Sequence, residues 1–223
     1  MLALAACECQ AYRIECGTGP ISGALRQNGV LMIAVALCVP LAWLLGTFPS
    51  AQLVARAKGR DITAEGSGNP GASNVARLLG WRYGAIVLLL DFAKGALAAG
   101  AGLWIGGRPG AYVLGIAAVV GHMSPLFRKG GKGIATGGGW LVVLFPVIVV
   151  ILAVVWVVVA RVFKKASLAS LLITVLFPIA AAIAGYDWWE VALLAAMAVL
   201  VIGRHAATIR RLARELAADE RAV

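Results

Sequence analysis

Charged residues are scarce in this chain, and their scarcity argues against an ordinary soluble protein. Only 13% of the 223 residues are Asp, Glu, Lys or Arg, whereas 61% are hydrophobic, and the mean hydropathy is +0.91. Soluble domains carry about 25% charged residues. Long apolar runs replace the polar surface that water requires, so the composition predicts an all-α integral membrane protein.

Acidic residues are fewer still, since 10 Asp and Glu stand against 20 Lys and Arg, for a net charge of +10. The basic residues are spread between apolar runs, which argues against nucleic acid as a partner and favours membrane lipid and an anionic substrate. Cys7, Cys9 and Cys16 lie near the N-terminus and Cys38 stands alone, with no metal-ligand spacing. We therefore expect no metal, no cofactor and no disulfide framework.

The beginning of the chain lacks the apolar pattern of the remainder. We interpret residues 1–29 as an N-terminal extension, with Met32 as an alternative biological first residue. Its "LAAC" lacks the basic and apolar stretches of a lipoprotein signal. Residues 30–215 are then a single membrane domain, and residues 216–223 are a cytoplasmic tail.

Apolar runs locate the membrane-spanning helices, since a crossing needs about 20 apolar residues. The clear candidates cover about 30–56, 83–104, 111–127, 167–184 and 188–203. One further run, 133–163, could be one crossing or two short ones. Lys and Arg collect on the cytoplasmic side of membrane proteins. If the run turns near Phe145 and Pro146 and so crosses twice, every basic cluster lies on that side and the acidic "GYDWWE" lies on the other; a single crossing does not give this arrangement. The sequence therefore predicts seven transmembrane helices, with the N-terminus outside and the C-terminus inside.

Three polar segments fall on the cytoplasmic face in this topology: 46–74, 128–139 and 203–212. Two of them are rich in glycine and run into apolar helices, an arrangement that can present backbone N–H groups to a phosphate. Lys132 adds a positive charge. Either loop alone could be a simple flexible turn, but two on one face favour anion binding. A nucleotide-binding P-loop is excluded, because Gly133 follows Lys132 where that motif needs Ser or Thr.

Ionisable residues within the predicted helices have two interpretations. Asp91 and Lys94 lie on one helical face and form either a structural pair or a support for the site. His122 is interpreted as a helix-packing residue, whereas His205, at the cytoplasmic edge, could donate to a phosphate. Ser167 could be a helix N-cap. The segment "RHAATIRRLAREL" has the pattern of a basic amphipathic helix at the lipid surface.

Several of these segments together resemble the motifs of a known protein family. "GSGNPGASNVARLLG", "DFAKG", "KGGKGIAT" and the late "RHAATIRRL" resemble, in order and spacing from about residue 32 to 215, the bacterial acyl-phosphate:glycerol-3-phosphate acyltransferases of the PlsY family. The resemblance implies a multi-pass bacterial membrane enzyme with its active site facing the cytoplasm. It implies acyl transfer from acyl phosphate to the 1-hydroxyl of glycerol 3-phosphate, and a functional link to the enzyme that makes acyl phosphate.

The resemblance also implies roles for individual residues. Substrate contacts or catalytic roles fall on Lys132, His205, Ser167 and Thr47. Phosphate binding and shaping of the loops fall on Gly66, Ser67, Gly68, Asn69, Asn74, Gly130, Gly131, Gly133 and Arg60. An acyl phosphate already carries a good leaving group, so binding, positioning and charge neutralisation suffice. The phosphate of the substrate itself is then the acceptor of the hydroxyl proton.

The chain departs from the family pattern at three positions and in one length. Thr47 replaces Ser, Thr63 replaces an arginine that binds phosphate, Thr208 replaces Asn, and the approach to the second motif is about two residues shorter. Losing a guanidinium from a phosphate site costs about 1.5–3 kcal/mol. An inactive homologue is therefore one open alternative. A membrane transporter or binding protein for a phosphorylated metabolite is another, because anion sites made from broken helices and the intramembrane Asp91 and Lys94 fit it in outline.

Overall fold

The computed structural model describes residues 21–219, which form helices joined by short loops. The helices are α1 Ile21–Gly46, α2 Ser50–Arg56, α3 Ala72–Leu79, α4 Trp81–Met123, α5 Ile134–Leu144, α6 Pro146–Val162, α7 Ala166–Ile183, α8 Trp188–Arg204 and α9 Ala206–Asp219. No strand occurs among the described residues, which confirms the predicted all-α class. Most of the expected N-terminal extension, residues 1–20, lies outside the described residues, as do the tail residues 220–223.

Apolar side chains cover the outside of the helix bundle. Leu37 is 74% exposed, Leu89 68% and Ile183 83%. An exposed apolar surface of this size is unfavourable in water but is accepted by lipid. Helices can lie in lipid because they satisfy their own backbone polar groups. Among the described residues, the stretches long and apolar enough to cross a membrane are Gly29–Arg56, Trp81–Met123 and Ala166–Ile183, and Ile134–Leu144 and Pro146–Val162 are shorter apolar helices.

Helix α4 consists of two helical halves, because the chain turns back in its middle. Gly106 and Gly107 leave the helical conformation, and Gly107 has a φ of 62°, which favours glycine. The backbones of the two halves touch, since a Cβ on Gly102 would overlap the carbonyl oxygen of Gly110. The halves match the two consecutive helices that the apolar pattern predicts for this region.

A second reversal separates α5 from α6. Phe145 is not helical, with φ −139° and ψ 56°. Its ring centroid lies 5.6 Å from that of Phe177 near the end of α7 and 4.6 Å from that of Tyr186 just before α8. Because α6 packs on α7 and α7 on α8, the start of α6 and the end of α7 lie together. The predicted turn near Phe145 and Pro146 is therefore present.

The two ends of the bundle differ in chemistry. At one end, the Arg108 Nη2 lies 2.6 Å from Glu190 Oε1, and its guanidinium lies over the Phe145 ring; we call this the Glu190 end. At the other end, Arg204 donates hydrogen bonds to the carbonyl groups of Gly130 and Gly131; we call this the loop end. Successive helices carry the chain back and forth between these ends.

The sequence predicted a single helix over 30–56, but the structure divides this run into α1 and α2. Helix α1 ends at Gly46, where the helix packs so closely on α4 that a Cβ would overlap the carbonyl oxygen of Ala118. Pro49 precedes α2 and disfavours the helical conformation at Phe48 before it. The break between α1 and α2 leads the chain into the polar segments at the loop end.

Candidate functional site

The first glycine-rich loop, residues 60–71, is held in one conformation by the buried side chain of Asn74. Its Oδ1 accepts a hydrogen bond from the Ser67 N–H at 3.0 Å, and its Nδ2 donates to the carbonyl groups of Glu65 at 3.0 Å and Ile62 at 3.3 Å. Gly66 has a φ of 62°, and a Cβ there would overlap Asn74 Oδ1. Both ends of the Asn74 amide therefore shape the loop.

Backbone N–H groups of this loop are also used within it. The Gly68 N–H donates to the Glu65 carbonyl at 2.9 Å and the Gly71 N–H to the Asn69 carbonyl at 2.9 Å. The Asn69 N–H lies 3.4 Å from Ser67 Oγ. The sequence predicted such groups as phosphate donors, but here they define the shape of the loop. The N–H groups named here are therefore already engaged and are not open to an anion in this conformation of the loop.

Charged side chains of the same loop pair with each other. The Nε of Arg60 donates to Glu65 Oε2 at 2.7 Å, and the Thr63 hydroxyl donates to Asp61 Oδ1 at 2.6 Å. The bond with Arg60 lowers the pKa of Glu65, and the bonds with Thr63 lower the pKa of Asp61, so both carboxyl groups are charged at neutral pH. A phosphate that reached Arg60 would compete with Glu65 for its guanidinium.

The second glycine-rich loop, residues 128–133, lies directly against the end of α4. The Gly131 N–H donates to the His122 carbonyl at 3.0 Å. A Cβ on Gly130 would overlap the Met123 carbonyl, and one on Gly131 would overlap the ring of His122. These glycines therefore allow the loop to pack on the backbone of α4, which fixes where Lys132 leaves the loop.

Lys132 meets the junction between α8 and α9. Its Nζ donates to Thr208 Oγ1 at 2.5 Å. His205 is 1% exposed, and its Nδ1 lies 2.8 Å from the Val201 carbonyl oxygen. A carbonyl oxygen only accepts, so Nδ1 carries the proton and Nε2 is the other ring nitrogen. Burial and the charge of Lys132 lower the pKa of His205, although its bond to Val201 raises it, so the ring is neutral at pH 7. We call Lys132, His205 and Thr208 the Lys132 cluster.

Arg204 connects the Lys132 cluster to the second loop. Its Nη2 donates to the carbonyl groups of Gly130 at 3.1 Å and Gly131 at 3.3 Å. The sequence pattern indicates His205 in this segment but not Arg204, because Arg204 is one of several basic residues at the predicted cytoplasmic edge. The signal available was its position directly before the histidine. Arg204 holds the C-terminal end of α8 against the glycine-rich loop.

Asp91 belongs to a buried polar network at the junction of α2 and α4. Its Oδ1 accepts the hydroxyl of Ser50 at 2.5 Å and the ammonium of Lys94 at 2.8 Å, and His122 Nδ1 lies 3.7 Å away. Lys94 also donates to the Phe48 carbonyl at 3.2 Å. These contacts favour the structural interpretation of the Asp91 and Lys94 pair, because they fix the break after α1 to α4. The sequence did not single out Ser50.

Two depressions open at the loop end. The larger, which we call the basic cleft, has a volume of about 390 Å³ and is lined by Pro49, Gln52, Leu53, Arg56, Arg60, Asp61, Ile62, Thr63, Arg128 and Lys129. The smaller, of about 10 Å³, is lined by Gly46, Thr47, Phe48, Pro49, Ser50, Gln52, Pro70, His122, Pro125, Arg128, Lys129, Gly130 and Gly131. Arg128 and Lys129 line both, so they lie where the two depressions meet.

Contacts between the three polar segments join them into one site. Arg128 donates to the Thr47 carbonyl, and Gln52 Nε2 donates to the Lys129 carbonyl at 3.2 Å. The Lys129 ammonium lies 3.2 Å from the place of a Cβ on Gly68. Together with Arg204 and Lys132, these contacts bring the segments predicted to share a face to the same end of the bundle.

Two residues with implied substrate roles stand apart from these contacts. The Thr47 hydroxyl donates to the Leu44 carbonyl at 2.7 Å, and Thr47 lines the smaller depression. Ser167 is half-buried in the first turn of α7. Lys165 is the residue at the N-cap position of that helix, so the N-cap interpretation of Ser167 is wrong. The contacts that join the polar segments do not include Ser167.

The fold and the site define an α-helical integral membrane protein that gathers cationic side chains and two glycine-rich loops at one end of its bundle. Within the described residues, no group of three or more His, Cys, Asp or Glu could hold a metal ion. Residues 36–215 match the family model for glycerol-3-phosphate acyltransferase. The chain belongs to this family.

Individual relatives agree with the family model. The chain is 40% identical over 184 residues to the glycerol-3-phosphate acyltransferase of Desulforudis audaxviator, and the aligned segment covers 81% of this chain and 92% of the relative. It is 39% identical over 186 residues to the enzyme of Pseudomonas paraeruginosa, covering 80% and 95%. A crystal structure of PlsY, an integral membrane glycerol 3-phosphate acyltransferase in its glycerol 3-phosphate form, superposes with a TM-score of 0.77 at 34% identity, over 82% of this chain and 93% of that one. Its lysophosphatidic acid form gives 0.74.

Proposed function

We propose that this chain transfers the acyl group of an acyl phosphate to the 1-hydroxyl of glycerol 3-phosphate, which gives 1-acyl-glycerol 3-phosphate and phosphate. Family membership and the relatives' glycerol-3-phosphate acyltransferase activity support the reaction. The observation that carries the proposal is the Lys132 cluster, which Arg204 holds against the second glycine-rich loop. This cluster offers an ammonium, a hydroxyl and a neutral imidazole beside a cleft with further cations.

The reaction requires little covalent chemistry from the protein itself. The 1-hydroxyl oxygen of glycerol 3-phosphate attacks the acyl carbon, the bond from that carbon to the phosphate oxygen breaks, and phosphate leaves with the bonding electrons. The hydroxyl proton passes to a phosphate oxygen of the substrate. Lys132 stabilises the negative charge that grows on the departing phosphate. His205 Nε2 and Thr208 Oγ1 are positioned to contact the polar substrate, and Ser167 and Thr47 remain proposed contacts.

The site is also suited to two substrates of different polarity. Glycerol 3-phosphate is small and soluble and fits the charged lining of the basic cleft. An acyl chain can extend along the exposed apolar surface of the bundle, which the bilayer covers. Holding both in one orientation converts a bimolecular reaction into an effectively unimolecular one.

We infer seven membrane crossings, with the N-terminus outside and the loop end facing the bacterial cytoplasm. The supporting observation is the charge of the two ends: Arg128, Lys129 and Lys132 lie at the loop end, whereas Asp187 and Glu190 lie at the other. Lys and Arg collect on the cytoplasmic side. Helix α5 has only 11 residues, so the bilayer is expected to thin locally around it. Acyl phosphate made in the cytoplasm then reaches the site from that side, which supports a functional link to the enzyme that produces it.

An assay of the purified chain with acyl phosphate and glycerol 3-phosphate tests the function. We expect lysophosphatidic acid and phosphate in equal amounts. Lys132→Gln should lower kcat/KM by about a hundredfold, as for the loss of one donor to a developing anion. Lys164→Gln, which removes an exposed lysine after α6, is the matched control and should retain activity. A wild-type chain that makes no product would be an inactive homologue, and the proposal would be rejected.

A further inference from the structure

Arg128 and Lys129 are the charged residues that line both the basic cleft and the smaller depression beside it, together with Pro49 and Gln52. The Arg128 guanidinium donates to the Thr47 carbonyl. A guanidinium has five N–H donors, so this one contact leaves most of its donors available. The side chain is exposed to the cleft opening. Arg128 is therefore a cation fixed at one point and open at the others.

The opposite wall of the basic cleft, formed by the first loop, has little positive charge to offer. Arg60 is bonded to Glu65 at 2.7 Å, and Thr63 bonds to Asp61 at 2.6 Å. The positive charge of Arg56, from α2, also lines the cleft and acts on the Asp61 carboxylate. The loop N–H groups described above are also used internally. Because these cations already face carboxylates, the first-loop wall offers a phosphate dianion little attraction, and the phosphate needs further cations from another segment.

The wall formed by the second loop has those cations. Lys129 lies beside Arg128, with its carbonyl held by Gln52 at 3.2 Å and its ammonium against Gly68 of the first loop. Lys129 therefore bridges the two walls. Arg128 presents the planar fork that suits two oxygens of one phosphate. Its place between the two depressions puts a phosphate held in the cleft next to Gly130 and Gly131, and so towards the Lys132 cluster.

We propose that Arg128 binds the phosphate of glycerol 3-phosphate and determines the affinity of this chain for that substrate. The inference rests on the proposed function for the identity of the substrate. The cleft selects the small phosphate monoester over acyl phosphate, because its lining is charged and polar apart from Pro49, Leu53 and Ile62. Lys132 acts on the departing phosphate, whereas Arg128 holds the phosphate that stays on the product.

Kinetics with each substrate varied in turn test this assignment. Arg128→Gln should raise the KM for glycerol 3-phosphate by about tenfold to a hundredfold, the loss expected for a charge-assisted bond. The KM for acyl phosphate should stay within about twofold, and kcat should change less than the KM. Arg161→Gln, which removes an exposed arginine at the end of α6, is the matched control. An unchanged KM for glycerol 3-phosphate, or a rise confined to acyl phosphate, would overturn the proposal.

A second pair of variants tests position as well as charge. Thr63 faces the same cleft, so Thr63→Arg in the Arg128→Gln background should recover at least part of the affinity for glycerol 3-phosphate. Arg128→Lys should be intermediate, because it keeps the charge and loses the fork. If neither variant improves on Arg128→Gln while all of them keep the wild-type melting temperature, Arg128 does not act through the phosphate.

Calorimetric binding of glycerol 3-phosphate separates this inference from the proposed function. If the wild type binds the compound, Arg128→Gln binds it at least about tenfold more weakly, and neither turns it over, the function is wrong and the phosphate site stands. If the wild type is active and binds with the same Kd as Arg128→Gln, the function stands and the inference fails. Wild-type protein that neither binds nor reacts contradicts both.

Discussion

At the scale of single residues, the side chain of Asn74 holds the first glycine-rich loop in its shape. Three backbone groups of the first loop depend on its amide, and the residue is only 2% exposed. Asn74→Ala should lower the free energy of unfolding by about 2 kcal/mol or more, since it leaves buried partners unpaired. Activity should fall with it. Thermal unfolding in detergent measures the first effect.

The control for Asn74→Ala is Ser73→Ala, one residue earlier on α3 and exposed. It should melt within about 2 °C of the wild type, because surface substitutions change the free energy of unfolding by less than about 0.5 kcal/mol. Equal melting temperatures for the two variants would mean that the Asn74 bonds do not hold the loop.

His205 makes stability depend on pH. Its pKa in the folded state lies below its ordinary value of 6.5, chiefly because of burial. Below pH 6.5 the unfolded chain therefore binds more protons than the folded chain. The stability that the neutral, buried His205 contributes is present above pH 6.5 and is lost as the pH falls towards the folded-state pKa. His205→Asn removes the titrating group. We expect the melting temperature of the wild type to fall more steeply than that of His205→Asn between pH 7 and 5, and parallel curves would contradict this.

At the scale of helices, close packing of α5 on α4 depends on glycine. A Cβ on Gly139 would overlap the Phe92 carbonyl, whereas a Cβ on Gly137, two residues earlier on the same helix, would meet nothing within 4 Å. Gly139→Ala should therefore push the helices apart and destabilise the chain by about 1–3 kcal/mol. Gly137→Ala should be neutral or stabilising by up to about 1 kcal/mol. Thermal unfolding of both variants decides, and equal losses would contradict the packing.

Apolar length and charge were enough to predict most helices and the turn at Phe145. They did not reveal the break between α1 and α2, because the apolar residues of "FPSAQLVA" extend the hydrophobic run beyond Pro49. Gly46 at the end of α1 also packs on Ala118 of α4, and such a contact is not local in sequence.

Contacts within the site were harder to predict than its location. Composition and spacing placed the glycine-rich loops and Lys132 at one face. Arg128 and Arg204, however, bind backbone carbonyl groups far away in sequence. Any cation could make such contacts, so no residue pattern marks them. The sequence likewise suggested free loop N–H groups, whereas the side chain of Asn74 and the turns of the loop use many of them.

At the scale of the whole molecule, one end of the bundle is closed and the other is open. The Glu190 end is closed by an ion pair between Arg108 and the buried Glu190 and by aromatic rings around Phe145. The loop end has the clefts and the cationic side chains. One sealed end and one open end suit an enzyme that takes its soluble substrate from one side of the membrane, whereas a transporter must open to both.

Cysteine labelling from each side of the membrane tests this orientation. In a chain with Cys7, Cys9, Cys16 and Cys38 replaced by serine, Pro146→Cys places an exposed thiol at the turn between α5 and α6. A membrane-impermeant maleimide should label it from outside intact cells, because seven crossings put this turn at the outer face. Lys164→Cys, after α6, should react only once the cells are opened. Labelling of both positions from the cytoplasm alone would mean that α5 and α6 do not cross the bilayer as two helices, and the seven-crossing arrangement would be wrong.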